Sequence, residues 1–284
     1  MKHTVMLSNG ASVPALGQGT WYLGDAPESY DREVEALRAG IEAGLTLLDT
    51  AENYGDGRAE RLVGEAIRPY DRADLFLVSK VMPSNAYGTQ LMKSLDRSLA
   101  HLGTDYLDLY LYHWRGSRPL GEMVAAMEEA RAAGKIRAWG VSNLDTADME
   151  ELWQIPGGTH CTVNQVLYHA GSRGIDYSLL PWMRAHHVAL MAYCPLAQVG
   201  RLGCDLLGSS VLGTLAAKYG ATPAQIALAW AIRDGNTIAI PRTGRREHAI
   251  SNAGADALDL TEEDCAAIDR AFPQPTRKEP LHIE

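Results

Sequence analysis

Residues 45–67 read LTLLDTAENYGDGRAERLVGEAI, and the reading of this stretch decides the fold. Leu45 to Thr50 form an apolar, β-type run that ends in a carboxylate, Asp49. Asn, Gly and Asp residues follow, which is turn chemistry, with Tyr54 held among them. Leu62, Val63, Ala66 and Ile67 then recur at helical spacing. One stretch therefore contains a strand, a loop and an amphipathic helix.

The same unit repeats along the 284 residues. Further β-rich runs are ALGQGT (15–20), LFLVSK (75–80), LDLYLYHW (107–114), IRAWGVSN (136–143), CTVNQ (161–165), VALMAYCP (188–195) and TIAIPRT (237–243). Most are continuously apolar rather than alternating, as parallel strands covered on both faces should be. Helical stripes lie between them: Val34, Leu37 and Ile41, with Gly44 as a stop; Leu91, Leu95, Leu99 and Leu102, closed by Gly103; Val124 and Met127, ending at Gly134. TPAQIALAWAIRDG (222–235) opens with a Thr N-cap and a proline at the first helical position.

Eight β–α units at roughly thirty-residue spacing predict an α/β fold, a (β/α)8 TIM barrel. A doubly wound open sheet is the alternative, but its Gly-rich fingerprint opening a helix is missing from LGQGTWYLG (16–24). TVMLSNGASVPA (4–15) reads as a β-hairpin turning at Asn9-Gly10, predicted to close the barrel bottom. No linker or charge run divides the chain, so a single domain over residues 1–284 is expected.

Composition narrows the function. Hydrophobic residues make up 46% and charged residues 21%, and the net charge of −9 argues against nucleic acid or an anionic membrane as partner. Cys161, Cys194, Cys204 and Cys265 show no CxxC pairing, which suits reduced thiols. The N-terminus lacks a signal-peptide core, and no run of about 18 apolar residues could span a bilayer. A cytoplasmic monomer is expected.

Barrels of this type build their sites at the C-terminal strand ends. The β runs end in Asp49, Lys80, His113, Ser142-Asn143, Asn164-Gln165, Tyr193 and Arg242-Thr243. Each has a bland explanation alone: Asp49 as an N-cap, Lys80 snorkelling, His113 satisfied in the core. Together they converge on one mouth. A phenol with a pKa near 10 is a poor acid at neutral pH, and a nearby ammonium is expected to lower that value by about 1–3 units. Asp49 would keep Lys80 charged, Lys80 would tune Tyr54, and Tyr54 would act as general acid. His113 would orient the substrate oxygen.

These residues resemble the catalytic tetrad of the aldo-keto reductases: the Asp of LLDTAENYG (47–55), the Tyr five positions later, the Lys ending LFLVSK and the His near the end of LYLYHW (109–114). The likeness runs from LGQGTW (16–21) to Asn252 and includes GKIRAWGVSN (134–143), NQVLYH (164–169) and YCPLAQVGRL (193–202). It is closest to small bacterial members that reduce methylglyoxal and related dicarbonyls. The resemblance implies an NADP(H)-dependent reductase, with NAD(H) as a second cofactor.

It further implies that Ser142, Asn143 and Gln165 hold the nicotinamide carboxamide and that Tyr193 stacks beneath the ring. Thr20, Trp21 and Asp49 would touch the cofactor, and Leu196, Gln198 and Arg201 would reach the pyrophosphate. IPRTGRREHAISN (240–252) resembles the family's 2′-phosphate site, which assigns Ile240, Pro241, Arg242, Thr243, Arg246, His248 and Asn252 to the adenosine end. Arg242 replaces the family's usual Lys, Thr243 its Ser, and His248 stands where many members carry Arg. Arginine retains the anion cradle, because it grips phosphate bidentately.

The loop after His113 and the tail FPQPTRKEPLHIE (272–284) look short, so an open mouth for small aldehydes or α-dicarbonyls is expected. Trp21, Tyr22, Tyr54, His113 and Trp114 are the candidate substrate contacts. Two other classes compete: a nucleotide-binding regulatory protein with little turnover, and a metal-dependent barrel hydrolase. The hydrolase lacks an HxH pair on the first strand, so no metal site is expected.

Overall fold

The structure is a computed structural model that describes residues 1–197 and 205–283. An antiparallel hairpin comes first, β1 (Thr4–Met6) and β2 (Ser12–Pro14). It turns where expected: Gly10 takes a φ of 87°, a conformation glycine adopts without steric cost. Val5, Leu7 and Val13 are buried in the core. The chain leaves β2 straight into the start of the first barrel strand, so these side chains close the N-terminal end of the barrel.

Eight parallel strands follow: β3 (Gln18–Gly19), β4 (Leu47–Asp49), β5 (Phe76–Val81), β6 (Leu107–Tyr112), β7 (Ile136–Ser142), β8 (Cys161–Leu167), β9 (Ala189–Tyr193) and β10 (Thr237–Ala239). They pair in chain order from β3 to β10. Bridges Leu16↔Ala239 and Gly19↔Arg242 join the first to the last and complete the ring. Gly19 makes that seam possible, and Gly17 allows the close approach to β4. A Cβ on Gly17 would lie 2.5 Å from the Leu47 side chain, and one on Gly19 would lie 2.9 Å from the Ile240 carbonyl.

The helices α1 (Tyr30–Glu42), α2 (Arg58–Ile67), α3 (Gly88–Leu102), α4 (Leu120–Ala132), α5 (Thr146–Trp153) and α6 (Leu179–Ala185) alternate with the strands. Between β9 and β10 the described residues form two, α7 (Ser210–Tyr219) and α8 (Pro223–Ile232). Only α8 was predicted. Its Thr222 N-cap and Pro223 are the signals that marked it, and the structure adds a capping box between Thr222 and Gln225. The buried face of α7 is only Leu212, Leu215 and Ala216, a weaker stripe. α9 (Arg246–Ala253) and α10 (Glu262–Ala271) complete the fold.

Strand side chains alternate between the two faces of a sheet. Leu47, Val78, Leu111, Gly140, Val163 and Met191 are buried apolar or glycine positions on the strands. Two residues beyond each stand Asp49, Lys80, His113, Ser142, Gln165 and Tyr193. The polar residues are thus the topmost layer of the series that fills the barrel. Among the described residues, no helix is long and apolar enough to cross a membrane.

Candidate active site

The topmost layer opens into a cavity of about 600 Å³. At its base, Lys80 is completely buried. Its ammonium donates to Asp49 Oδ2 at 2.7 Å, to the Thr50 carbonyl at 2.9 Å and to the Tyr54 hydroxyl at 3.0 Å. Three acceptors use all three protons of the ammonium. Burial acts to lower the Lys80 pKa, but the Asp49 carboxylate and the Tyr54 oxygen outweigh it, and the value lies above the ordinary lysine range. The balance favours the charged form of Lys80.

Tyr54 differs from expectation. Burial raises its pKa above the usual phenol value, and the Lys80 ammonium opposes that rise without reversing it. The expectation of a net lowering counted the ammonium and left out the loss of water around the phenolate, which is the larger effect here. The phenol is consequently protonated across the neutral range, the form a proton donor needs. Asp49 is pushed up by burial, with Lys80 and Gln165 opposing. Gln165 Nε2 donates to its second oxygen at 2.8 Å, and the Thr20 hydroxyl donates to its carbonyl at 3.0 Å.

His113 stands beside Tyr54, with ring centroids 5.7 Å apart in an edge-to-face arrangement. Burial, with help from the Lys80 charge, lowers its pKa to about 2, so the ring is neutral. Its Nδ1 is buried and has no hydrogen-bond partner. A neutral ring next to the phenol can align a carbonyl oxygen but cannot supply a second charge.

Polar residues on β7, β8 and β9 form the far wall. Ser142 donates to the Gln165 carbonyl at 2.8 Å, and the Tyr193 hydroxyl donates to Asn143 Oδ1 at 3.0 Å. Asn143 sits at φ 56°, a left-handed conformation that asparagine tolerates better than most residues. These bonds fix the amide of Asn143 and the ring of Tyr193 at the cavity wall. Beyond them Leu196, Ile240, Pro241 and Arg242 continue the lining. The donor set suits a dinucleotide: amides and a hydroxyl at one end, an aromatic ring between, and a guanidinium at the other. The cavity is large enough to hold part of one.

Thr20, Trp21 and Trp114 also line the cavity. Tyr22 does not; it is 55% exposed, and its ring stacks on the outer side of Trp21 at 4.5 Å. Thr243, Arg246, His248 and Asn252 lie past the lining. Thr243 accepts from the Arg245 backbone at 3.1 Å, Arg246 and His248 are exposed on α9, and Asn252 is buried on the same helix. Gln198 and Arg201 lie outside the described residues. Asn164 points away from the barrel interior and donates to the Leu144 carbonyl at 2.8 Å, the opposite parity to Gln165.

The sequence reading missed Asn53, Arg115, Pro195 and Ile283, all in the lining. Ile283 belongs to the tail. Lys278 ties the tail to Asp145 at 2.9 Å, and His282 meets the Ser172 hydroxyl at 2.7 Å, which carries Ile283 back to the mouth. Among the described residues no three His, Cys, Asp or Glu side chains converge to hold a metal.

Comparison with known proteins agrees with this geometry. The model of the family described as "Aldo/keto reductase family" matches residues 15–272. The chain is 51% identical over 279 residues to "Methylglyoxal reductase YeaE" of Escherichia coli (strain K12), with 98% of each chain covered. It is 32% identical over 271 residues to "Glyoxal reductase" of Bacillus subtilis (strain 168), covering 95% of this chain and 92% of that one. A crystal structure of an aldo/keto reductase from Klebsiella pneumoniae in complex with NADP and acetate superposes with a TM-score of 0.96, at 51% identity and full coverage of both chains.

Proposed function

We infer function from one premise: this chain belongs to the aldo/keto reductase family. It is an oxidoreductase that reduces small carbonyl compounds to alcohols with NADPH. We propose methylglyoxal and other small aldehydes and α-dicarbonyls as its substrates. The observation that carries this reading is the Lys80 ammonium 3.0 Å from the Tyr54 hydroxyl and 2.7 Å from Asp49, at the base of a cavity.

Bound NADPH supplies a hydride to the carbonyl carbon. The protein residues handle the oxygen. His113, neutral and adjacent, orients it, and the Tyr54 hydroxyl donates its proton to it. As that proton leaves, negative charge grows on the Tyr54 oxygen beside an ammonium that is already in place, which stabilises the transition state without reorganisation. Asp49 keeps the ammonium charged throughout. The product alcohol is neutral, and the phenol regains its proton from solvent.

For the cofactor, Ser142, Asn143 and Gln165 are assigned to the carboxamide and Tyr193 to the ring face. Thr20 and Trp21 border the nicotinamide end, and Leu196, with Gln198 and Arg201, the pyrophosphate. Ile240, Pro241 and Arg242 lead to a shelf where Thr243, Arg246, His248 and Asn252 complete the 2′-phosphate site. Trp21, Trp114 and Ile283 border the substrate. We propose a single-domain monomer that works in the cytoplasm, and the net charge of −9 argues against a nucleic-acid partner.

Following nicotinamide absorbance with NADPH and NADH over a panel of small carbonyls tests this. The expected result is turnover of methylglyoxal with NADPH favoured at least tenfold in kcat/KM. No turnover of any small carbonyl would refute it.

A further inference from the structure

Of the buried carboxylates that lie outside the cavity and that the mechanism above does not use, two flank the catalytic phenol. Glu52 is two residues before Tyr54 and Glu60 is six after it, so they bracket the loop that carries the phenol. Glu52 Oε1 accepts from the Met82 backbone at 2.7 Å and from Asn85 Nδ2 at 3.0 Å, while Oε2 takes Arg97 at 2.7 Å. Its own N–H donates to the Lys80 carbonyl at 3.3 Å. Glu60 is completely buried; it accepts from the Ser79 hydroxyl at 2.8 Å and meets His101 Nδ1 at 3.0 Å.

The partners form a pattern. Ser79 immediately precedes Lys80 and Met82 follows two residues after it, so the carboxylates grip the Lys80 strand on both sides of the ammonium. Arg97 and His101, one helical turn apart on α3, support the two grips from outside. His101 accepts from Arg61 through its other nitrogen at 3.0 Å. Gly57, at φ 79° where α2 begins, leaves room for that ring; a Cβ there would lie 2.5 Å from it. Tyr110 faces both acids, and burial first, then the two carboxylates, pushes its phenol well above the ordinary range.

Buried carboxylates are expensive, and well-packed apolar residues stabilise a core as well or better. Two of them here do something an apolar pair cannot. They join a loop to a strand by directional bonds at fixed register. We propose that Glu52 and Glu60 are positioning residues that clamp the Tyr54 loop onto the Lys80 strand and so hold the hydroxyl at hydrogen-bond distance from the ammonium. This rests on the assignment of Tyr54 as proton donor. Loosening the clamp misplaces the acid while leaving the cofactor wall on β7 to β9 intact.

The test compares Glu52→Ala, Glu52→Gln, Ser79→Ala and Tyr54→Phe in full-length protein, with methylglyoxal and NADPH. Displacing a reacting group by about 1 Å can cost on the order of 100-fold. Glu52→Ala is expected to lower kcat about 10–100-fold, with KM and NADPH affinity (by fluorescence quenching) within about threefold of wild type. Glu52→Gln, which still accepts from Met82 and Asn85, is expected to restore kcat to within about fivefold. If Glu52→Ala does not fold, Ser79→Ala, which removes one oxygen, is expected to lower kcat about threefold or more at unchanged KM. Unchanged kcat in the variant that folds overturns the clamp, as does a parallel loss of kcat, KM and NADPH affinity. Tyr54→Phe separates the two levels. If it keeps turnover, the proton-donor assignment falls and the clamp with it; if it loses turnover while Glu52→Ala is unaffected, only the clamp falls.

Discussion

Replacing Lys80 with methionine should destabilise the fold and abolish turnover for separable reasons. Lys80 is fully buried and donates to three acceptors, of which Asp49 is charged and itself buried. Methionine fills the space but leaves the carboxylate with the Gln165 amide alone. Breaking a buried ion pair by removing one partner typically costs about 3–5 kcal/mol. For a chain of this size that lowers Tm by on the order of 10 °C. The sign with pH follows from Asp49, whose carboxyl burial pushes upward. A raised carboxyl pKa means the folded state binds the proton more tightly. The deficit is therefore largest at neutral pH and shrinks as pH falls towards the ordinary carboxylate range near 4. Lys80→Met/Asp49→Asn removes both charges and should recover stability to within about 2 kcal/mol of wild type. Neither variant should regain turnover, since general-acid catalysis worth about 100-fold or more is gone. Urea unfolding at pH 7.0 and 4.5, beside NADPH consumption, measures both. A single variant as stable as wild type at neutral pH, or a double variant no better than the single, would refute the reasoning.

Three further outcomes are expected. The kcat/KM for carbonyl reduction should stay level through neutral pH and fall only on the alkaline side, because the Tyr54 phenol is raised and its proton is lost only there; no break near pH 6 should arise from His113, whose pKa of about 2 keeps it neutral, so such a break in the pH profile would contradict that assignment. Arg242→Ala should raise the dissociation constant of NADPH about 10–100-fold and that of NADH about threefold or less, as a charge-assisted bond to phosphate is worth about 1.5–3 kcal/mol; equal losses, read by fluorescence titration, would remove Arg242 from the phosphate site. Gly140→Ala would put a Cβ 2.5 Å from the Val163 carbonyl and 2.9 Å from Leu111 inside the barrel; overpacking there should cost about 1–3 kcal/mol in urea unfolding, and a neutral change would show that β7 can move.

The barrel was legible because its strands are apolar runs that end abruptly in polar residues, and because period-two alternation then fixes which of those residues share a layer. That rule selects Gln165 and rejects Asn164, its neighbour at the same strand end. Tyr22 and Trp21 look equivalent as neighbours; only the backbone shows that Tyr22, at φ 66°, turns outward. The acidity of Tyr54 was misjudged because a sequence reveals charges but not how much water a fold removes from around them. Ile283 could not be assigned from sequence. Its position depends on the anchors of Lys278 and His282 to residues more than a hundred positions away. Nothing in the sequence distinguishes Glu52 and Glu60 from surface charges, and only packing against α3 reveals them as interior groups.

The seam between β3 and β10 bears on how this chain is made. Its bonds join residues 16 and 239 and residues 19 and 242, pairs far apart in the sequence. Contacts so distant in sequence form late, because chain entropy must be lost before they contribute. Until the segment after residue 236 leaves the ribosome, β3 and β9 are unpaired borders of an incomplete sheet, with free amides and carbonyls able to join another chain. The nascent protein is thus open to misassembly until β10 is made, and slowing elongation before it would lengthen that exposure.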